Sequence, residues 1–267
     1  MTQAILGIDI GNSALSLSLM LPDESEIDGV RVAGELRLAT QTQHDEPGLR
    51  DAITTFCTQT TGSLPPCAVL SSVVPALTPL LLSTLSSLGV RVHEVSALHA
   101  RDYGVSCDIP EPEHVGADLI ADCVAARDLD SAVIVDAGTA IKVLALQRGT
   151  FMGVTISPGL RLLSSSLTSG TALLPSIDPQ RPTTVLGRDT ISAMRSGIYY
   201  QALGGITETL RRVLQTMPDT TVSILTGGYS HLFAADCTTF TRIDPYYLHR
   251  GLWRIAQSAP ADSWIAA

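Results

Sequence analysis

The stretch Ile5-Leu6-Gly7-Ile8-Asp9-Ile10-Gly11-Asn12-Ser13 returns, nearly half the chain later, as Ala132-Val133-Ile134-Val135-Asp136-Ala137-Gly138-Thr139-Ala140. Each copy runs from an apolar strand into Asp-x-Gly and a small polar residue. A second strand then follows: residues 15–20 alternate Leu-Ser-Leu-Ser-Leu-Met after the first copy, and Ile141–Leu146 returns after the second. One structural unit used twice predicts an α/β chain of two related lobes.

Working outward, the first copy is followed by a third strand over Arg31–Leu38 and a helix ending near Thr60. A buried strand over Ala68–Val74, a helix with apolar spacing over Leu77–Leu88 and a short strand over Val90–Val95 come next. The Pro-rich, acidic stretch Asp108–His114 reads as the crossing between lobes, so the expected division is 1–114 and 115–267. Beyond it a helix from near Gly116 to about Arg127 carries Ile120, Cys123 and Val124 on one face. A third strand and glycine turn, Val222-Ser223-Ile224-Leu225-Thr226-Gly227-Gly228, lies further on.

Composition narrows the function. The length of 267 residues suits two lobes of roughly 100–150 residues each. A hydrophobic content of 45% supports sizeable cores. A net charge of −9 and only 4% aromatic residues argue against a nucleic-acid binder or a binder of anionic membranes. The five cysteines, Cys57, Cys67, Cys107, Cys123 and Cys237, include no CxxC pair and read as buried thiols of a reducing compartment. No basic stretch precedes the first apolar run, and Asp9 interrupts that run. Neither a signal peptide nor a spanning helix is expected, and the protein reads as cytoplasmic.

The glycine turns carry the chemistry. A tight turn with Gly lets backbone N–H groups approach a phosphate, and a neighbouring Ser or Thr hydroxyl adds a donor. An Asp at the strand end can hold Mg²⁺ through water against the same phosphates. Two such turns from opposed lobes would clamp a nucleoside triphosphate, with Thr226-Gly227-Gly228 as a backbone shelf for the adenosine.

The series of short motifs extends along nearly the whole chain. It begins with Asp9-x-Gly11-Asn12-Ser13, Ser71-Ser72-Val73-Val74-Pro75, Gly116-Ala117-Asp118 and Asp136-x-Gly138-Thr139-Ala140. Gly153-x-x-Ile156-x-Pro158-Gly159-Leu160, Thr171-Ala172-x-Leu174-Pro175, Gly187-Arg188-Asp189-Thr190 and Thr226-Gly227-Gly228 complete it. In content and order this series resembles the type III pantothenate kinases of the actin- and hexokinase-like ATPase superfamily. The resemblance implies two RNase H-like (actin-type ATPase) α/β lobes with a nucleotide cleft between them. It implies ATP-dependent phosphorylation of pantothenate to 4′-phosphopantothenate, the opening step of coenzyme A synthesis, by a homodimer whose contact lies near the motifs of 153–190.

By motif position, Asp9, Ile10, Gly11, Asn12 and Ser13 would hold phosphates, Asp9 also holding Mg²⁺ through water. Gly138, Thr139, Thr226, Gly227 and Gly228 would hold the nucleotide. Asp118 would accept the proton, and Gly116, Ala117, Leu119 and Thr190 would join it around the acceptor. Asp136 would bind a monovalent cation, K⁺ or NH₄⁺.

Four positions depart from the family pattern. Leu119 stands for Arg, Ile109 for Tyr, Lys142 for Thr and Asp122 for Asn. Leucine offers no bidentate contact to an acceptor carboxylate, so Arg161 and Arg188 are candidate substitutes. Two other readings stay open here: a nucleotide-binding homologue with a regulatory role, and a kinase for a different acceptor. The Lys142 ammonium would replace the bound cation if its strand turns it toward Asp136, a direction that alternation alone leaves undecided.

Overall fold

The computed structural model describes residues 3–26 and 28–266. In chain order the elements begin with β1 (Ile5–Ile10), β2 (Ala14–Pro22), β3 (Val30–Ala39), α1 (Glu46–Thr61), β4 (Cys67–Ser72) and α2 (Thr78–Ser87). Next come β5 (Arg91–Glu94), β6 (Ser106–Cys107), α3 (Ala117–Ala126), β7 (Ser131–Ala137), β8 (Ala140–Gln147) and β9 (Thr150–Pro158). The last are α4 (Leu160–Gly170), α5 (Thr190–Leu214), β10 (Val222–Thr226), α6 (Ser230–Phe233), β11 (Arg242–Ile243) and α7 (Tyr247–Ser258). Among the described residues no helix is long and apolar enough to cross a membrane.

The chain forms two compact units. One comprises the residues up to Asp128 together with those from Tyr246 onward; the other is Leu129–Pro245. In the first unit the strands run β3-β2-β1-β4-β5, with β1 antiparallel to β2 and parallel to β4. Within the second unit the order is β11-β10-β7-β8-β9, with β7 antiparallel to β8 and parallel to β10. Strand for strand, β7 repeats β1, β8 repeats β2, β9 repeats β3 and β10 repeats β4. The repeated sequence is a repeated α/β sheet.

Alternation places the first core. Leu6, Ile8 and Ile10 of β1 and Leu15, Leu17 and Leu19 of β2 are fully buried, packed with Leu49, Ile53 and Cys57 of α1 and Leu81 and Leu85 of α2. Asp45 caps α1 by accepting from Gly48 N at 2.9 Å, and Gly62 ends it at φ +83°. In the second unit every residue of β7 is buried, as a central strand with parallel and antiparallel neighbours requires. Met194, Ile198, Ala202, Ile206 and Leu210 make one stripe along α5 that joins Val133 and Val135 in that core. Cys57, Cys67, Cys123 and Cys237 are buried free thiols, and Cys107 is half-buried.

The expected division at 114 and 115 differs from this partition. α3 and α7 both complete the first unit, because they pack closely enough that a Cβ on Gly251 would fall 2.6 Å from the Ala121 carbonyl carbon. Asp28 anchors the return: Arg254 Nη2 lies 2.7 Å from its Oδ1 and Arg250 Nε 3.7 Å from its Oδ2. An antiparallel bridge between Val92 and Ile265 adds a further tie.

Candidate active site

In the first unit β1 delivers Asp9 on the face opposite Ile8 and Ile10. Ser71 Oγ, on the neighbouring parallel strand β4, donates to Asp9 Oδ1 at 2.9 Å. Gly11 N donates to Ala14 O at 2.9 Å to close the turn, leaving Asn12 exposed and Ser13 half-buried at its tip. Thr40 braces the turn from outside, its hydroxyl donating to Gly11 O at 2.7 Å and its N–H to Ser13 O at 3.2 Å. The segment after β4 seals the end of β1, with Val73 N donating to Ile10 O at 3.0 Å.

Asp118 sits in the first turn of α3. Its Oδ1 accepts the Leu119 N–H at 2.8 Å. A Cβ on Gly116 would lie 2.5 Å from that oxygen and 3.6 Å from Val73 Cγ1. Glycine is therefore what lets the carboxylate fold back toward the segment after β4. Asp9, Gly11, Ser71, Gly116 and Asp118 thus gather at the C-terminal ends of β1 and β4, the edge where open α/β sheets bind ligands.

The second unit builds its turn the same way. Gly138 N donates to Ala140 O at 3.1 Å, and Tyr229 N, after β10, donates to Ala137 O at 2.9 Å, as Val73 does for Ile10. Gly159 N donates to Thr139 O at 3.0 Å. Gly227 has φ +91°, and a Cβ there would lie 2.6 Å from Ala137 N. Thr226 is buried and paired with Asp136 across β10 and β7.

On the other side Asp136 pairs with Lys142 across β7 and β8. Lys142 Nζ lies 2.6 Å from Asp136 Oδ2, with side-chain exposures of 13% and 12%. The hairpin register therefore settles the direction of Lys142: it points at Asp136.

The residues fit a nucleotide and its divalent ion. Tight glycine turns lie beside hydroxyl-bearing side chains in both units. Asp9 offers the single carboxylate that suffices for a Mg²⁺ keeping most of its waters and phosphate ligands. The Asp136 carboxylate does not fit a free monovalent cation in the same way, because an ammonium already lies against it.

Of the residues expected around the acceptor, Ala117 and Leu119 are buried at 8% and 7% exposure, Leu119 continuing the run of buried residues that lasts to Ala126. Ile109 is half-buried. Thr190 lies exposed on the first turn of α5 in the second unit, between the capping-box residues Asp189 and Ser192. Arg161 Nε donates to Tyr229 Oη at 2.8 Å, and Arg188 is exposed. Sequence reasoning missed Thr40 and Tyr229 as braces of the two turns, since backbone partners of a loop leave no motif.

The sequence profile of the type III pantothenate kinases matches residues 5–212. A type III pantothenate kinase of Bifidobacterium animalis subsp. lactis is 30% identical over 257 residues, covering 93% of this chain and 96% of its own length. One from Dehalococcoides mccartyi is 29% identical over 263 residues, covering 96% and 98%. Among solved structures, a conserved protein assigned to the Baf family of transcriptional activators from Campylobacter jejuni aligns with a TM-score of 0.55 at 16% identity, covering 94% of this chain and 98% of that one. The ethanolamine utilization protein EutJ of Carboxydothermus hydrogenoformans aligns with a TM-score of 0.55 at 10% identity, covering 95% and 89%. At these identities the structural likeness speaks for the fold alone. With the duplicated turns in place and the profile running through both units, the chain belongs to the type III pantothenate kinase family.

Proposed function

We propose that the chain transfers the γ-phosphoryl group of ATP to the primary hydroxyl of pantothenate, yielding 4′-phosphopantothenate and ADP. This is the opening step of coenzyme A synthesis and places the enzyme in the cytoplasm. The observation that carries the reading is the gathering of Asp9, Gly11, Gly116 and Asp118 at one strand edge of the first unit.

The hydroxyl oxygen attacks the γ-phosphorus as the bond to the β,γ-bridging oxygen breaks, and its proton passes to the Asp118 carboxylate. Such a transfer is governed by positioning and charge stabilisation, so the protein's task is to hold both substrates. Ile10 to Ser13 and Gly138, Thr139, Thr226, Gly227 and Gly228 hold the nucleotide through backbone and hydroxyl groups. Asp9 would hold Mg²⁺ through water, and the bound ion would supply positive charge against the phosphates. Gly116 and Thr190 position pantothenate, with Ala117 and Leu119 backing the site. Arg161 or Arg188 supplies the guanidinium for its carboxylate that Leu119 does not.

The homodimer of this reading is supported by apolar side chains standing in solvent within the 153–190 segment: Ile156, Leu173, Val185 and Leu186 are 66%, 92%, 65% and 83% exposed. Neither nucleic acid nor a membrane is a partner in this reading. The test is incubation with Mg·ATP and pantothenate, with mass-spectrometric detection of 4′-phosphopantothenate. Pantothenate-dependent ADP release with that product is the expected result; ADP release indifferent to pantothenate refutes the reading.

A further inference from the structure

The two duplicated turns differ in charge. In the first, Asp9 is paired with Ser16 on β2 and with Ser71 on β4. In the second, Asp136 is paired with Lys142 on β8 and with Thr226 on β10. Three of these four neighbours are hydroxyls. The fourth is the chain's only lysine, among 17 lysines and arginines.

Its geometry is specific. The ammonium stands 2.6 Å from Asp136 Oδ2, and both side chains are nearly out of solvent. Gly227 presses on Asp136 Oδ1, leaving no room there for even a methyl group. The carboxylate is thus enclosed by backbone on one side and an ammonium on the other. A lysine ammonium is a compact unit charge with three donors, the chemical likeness of NH₄⁺. An arginine would bring a flat fork instead, and a threonine would bring no charge.

We infer that Lys142 is a built-in monovalent cation. Its ammonium supplies by covalent attachment the single positive charge that the family resemblance assigns to a dissociable K⁺ or NH₄⁺ at Asp136. The inference rests on the nucleotide-binding kinase reading above. The enzyme accordingly works at any potassium concentration, because the charge beside its second turn cannot leave.

The experiment measures Mg·ADP affinity by calorimetry, and turnover with pantothenate, in KCl, NH₄Cl and choline chloride at equal ionic strength. The unmodified protein gives the same values in all three. Lys142→Thr loses one charge-assisted contact and binds about 10–150-fold more weakly in choline chloride, and K⁺ or NH₄⁺ restores it. Lys142→Met, which fills the same space without charge, is weakened in every salt and is not rescued. It keeps the test alive if the threonine variant fails to fold. Two results overturn the inference: K⁺ raising affinity or turnover of the unmodified protein about tenfold or more, or Lys142→Thr matching the unmodified protein in choline chloride. Absent turnover with intact, cation-independent ADP binding refutes the pantothenate reading alone; K⁺ activation of the unmodified protein refutes the built-in cation alone.

Discussion

Substituting alanine at Gly227 probes how tightly the second turn is built. At φ +91° an L-residue carries a conformational cost of about 1–2 kcal/mol. The added Cβ would also lie 2.6 Å from Ala137 N and 2.7 Å from the Ala137 carbonyl carbon. Both are backbone atoms at the end of β7, the fully buried central strand, so neither can rotate aside as a side chain would. Overpacking of this kind costs about 1–3 kcal/mol, and together the two effects come to about 2–5 kcal/mol. Gly62→Ala is the matched control: φ is +83° but no atom lies within 4 Å of the added Cβ, so it carries only the conformational part, about 1–2 kcal/mol. Urea denaturation of both variants beside the parent, read by midpoint and slope, measures the difference. Gly227→Ala is expected to be the less stable and to bind ADP more weakly, since the same Cβ strikes Asp136. Equal stability of the two variants would refute the packing argument.

Two further perturbations address the site and the first unit. Asp118→Asn keeps shape and removes the proposed proton acceptor, so kcat with pantothenate falls by roughly 10²–10⁴ while ADP affinity is unchanged; full turnover would remove Asp118 from the mechanism. Burial of His93, whose Nε2 lies 2.7 Å from Tyr103 Oη, lowers its pKa from the ordinary 6.5. The unfolded chain therefore takes up this proton first as pH falls. Stability is full above 6.5 and is lost as the pH drops toward the lowered value. Melting temperatures of His93→Gln should fall less steeply than the parent's on acidification, and parallel curves would show that His93 does not contribute.

What was legible in the chain follows from how local each determinant is. The strict alternation Leu15-Ser16-Leu17-Ser18-Leu19 marks β2 within a few residues, and the repeated Asp-x-Gly marks both β1 and β7. The partition was not legible, because α7 returns to the first unit through contacts such as Gly251 on Ala121 that join distant parts of the chain. The burial of His93 was hidden for the same reason: Tyr103 and Ser263 complete its surroundings from other segments. The direction of Lys142 depends on hairpin register. The first copy pairs Asp9 with Ser16, the second pairs Asp136 with Lys142, and one residue fewer in the second turn decides which side chain stands opposite the carboxylate. Alternation cannot count that residue. Leu119 was visible as a departure, but its burial in the α3 core came only with the packing.

The return of α7 bears on the order in which the protein is made. The second unit is continuous in the chain and can close once Pro245 has been synthesised. The first unit, although it starts earlier, lacks the helix that covers α3 and the two arginines that neutralise Asp28 until residues 247–258 exist. During translation, then, the unit begun first is finished last, and its exposed α3 is the surface that a chaperone would have to guard in the interval.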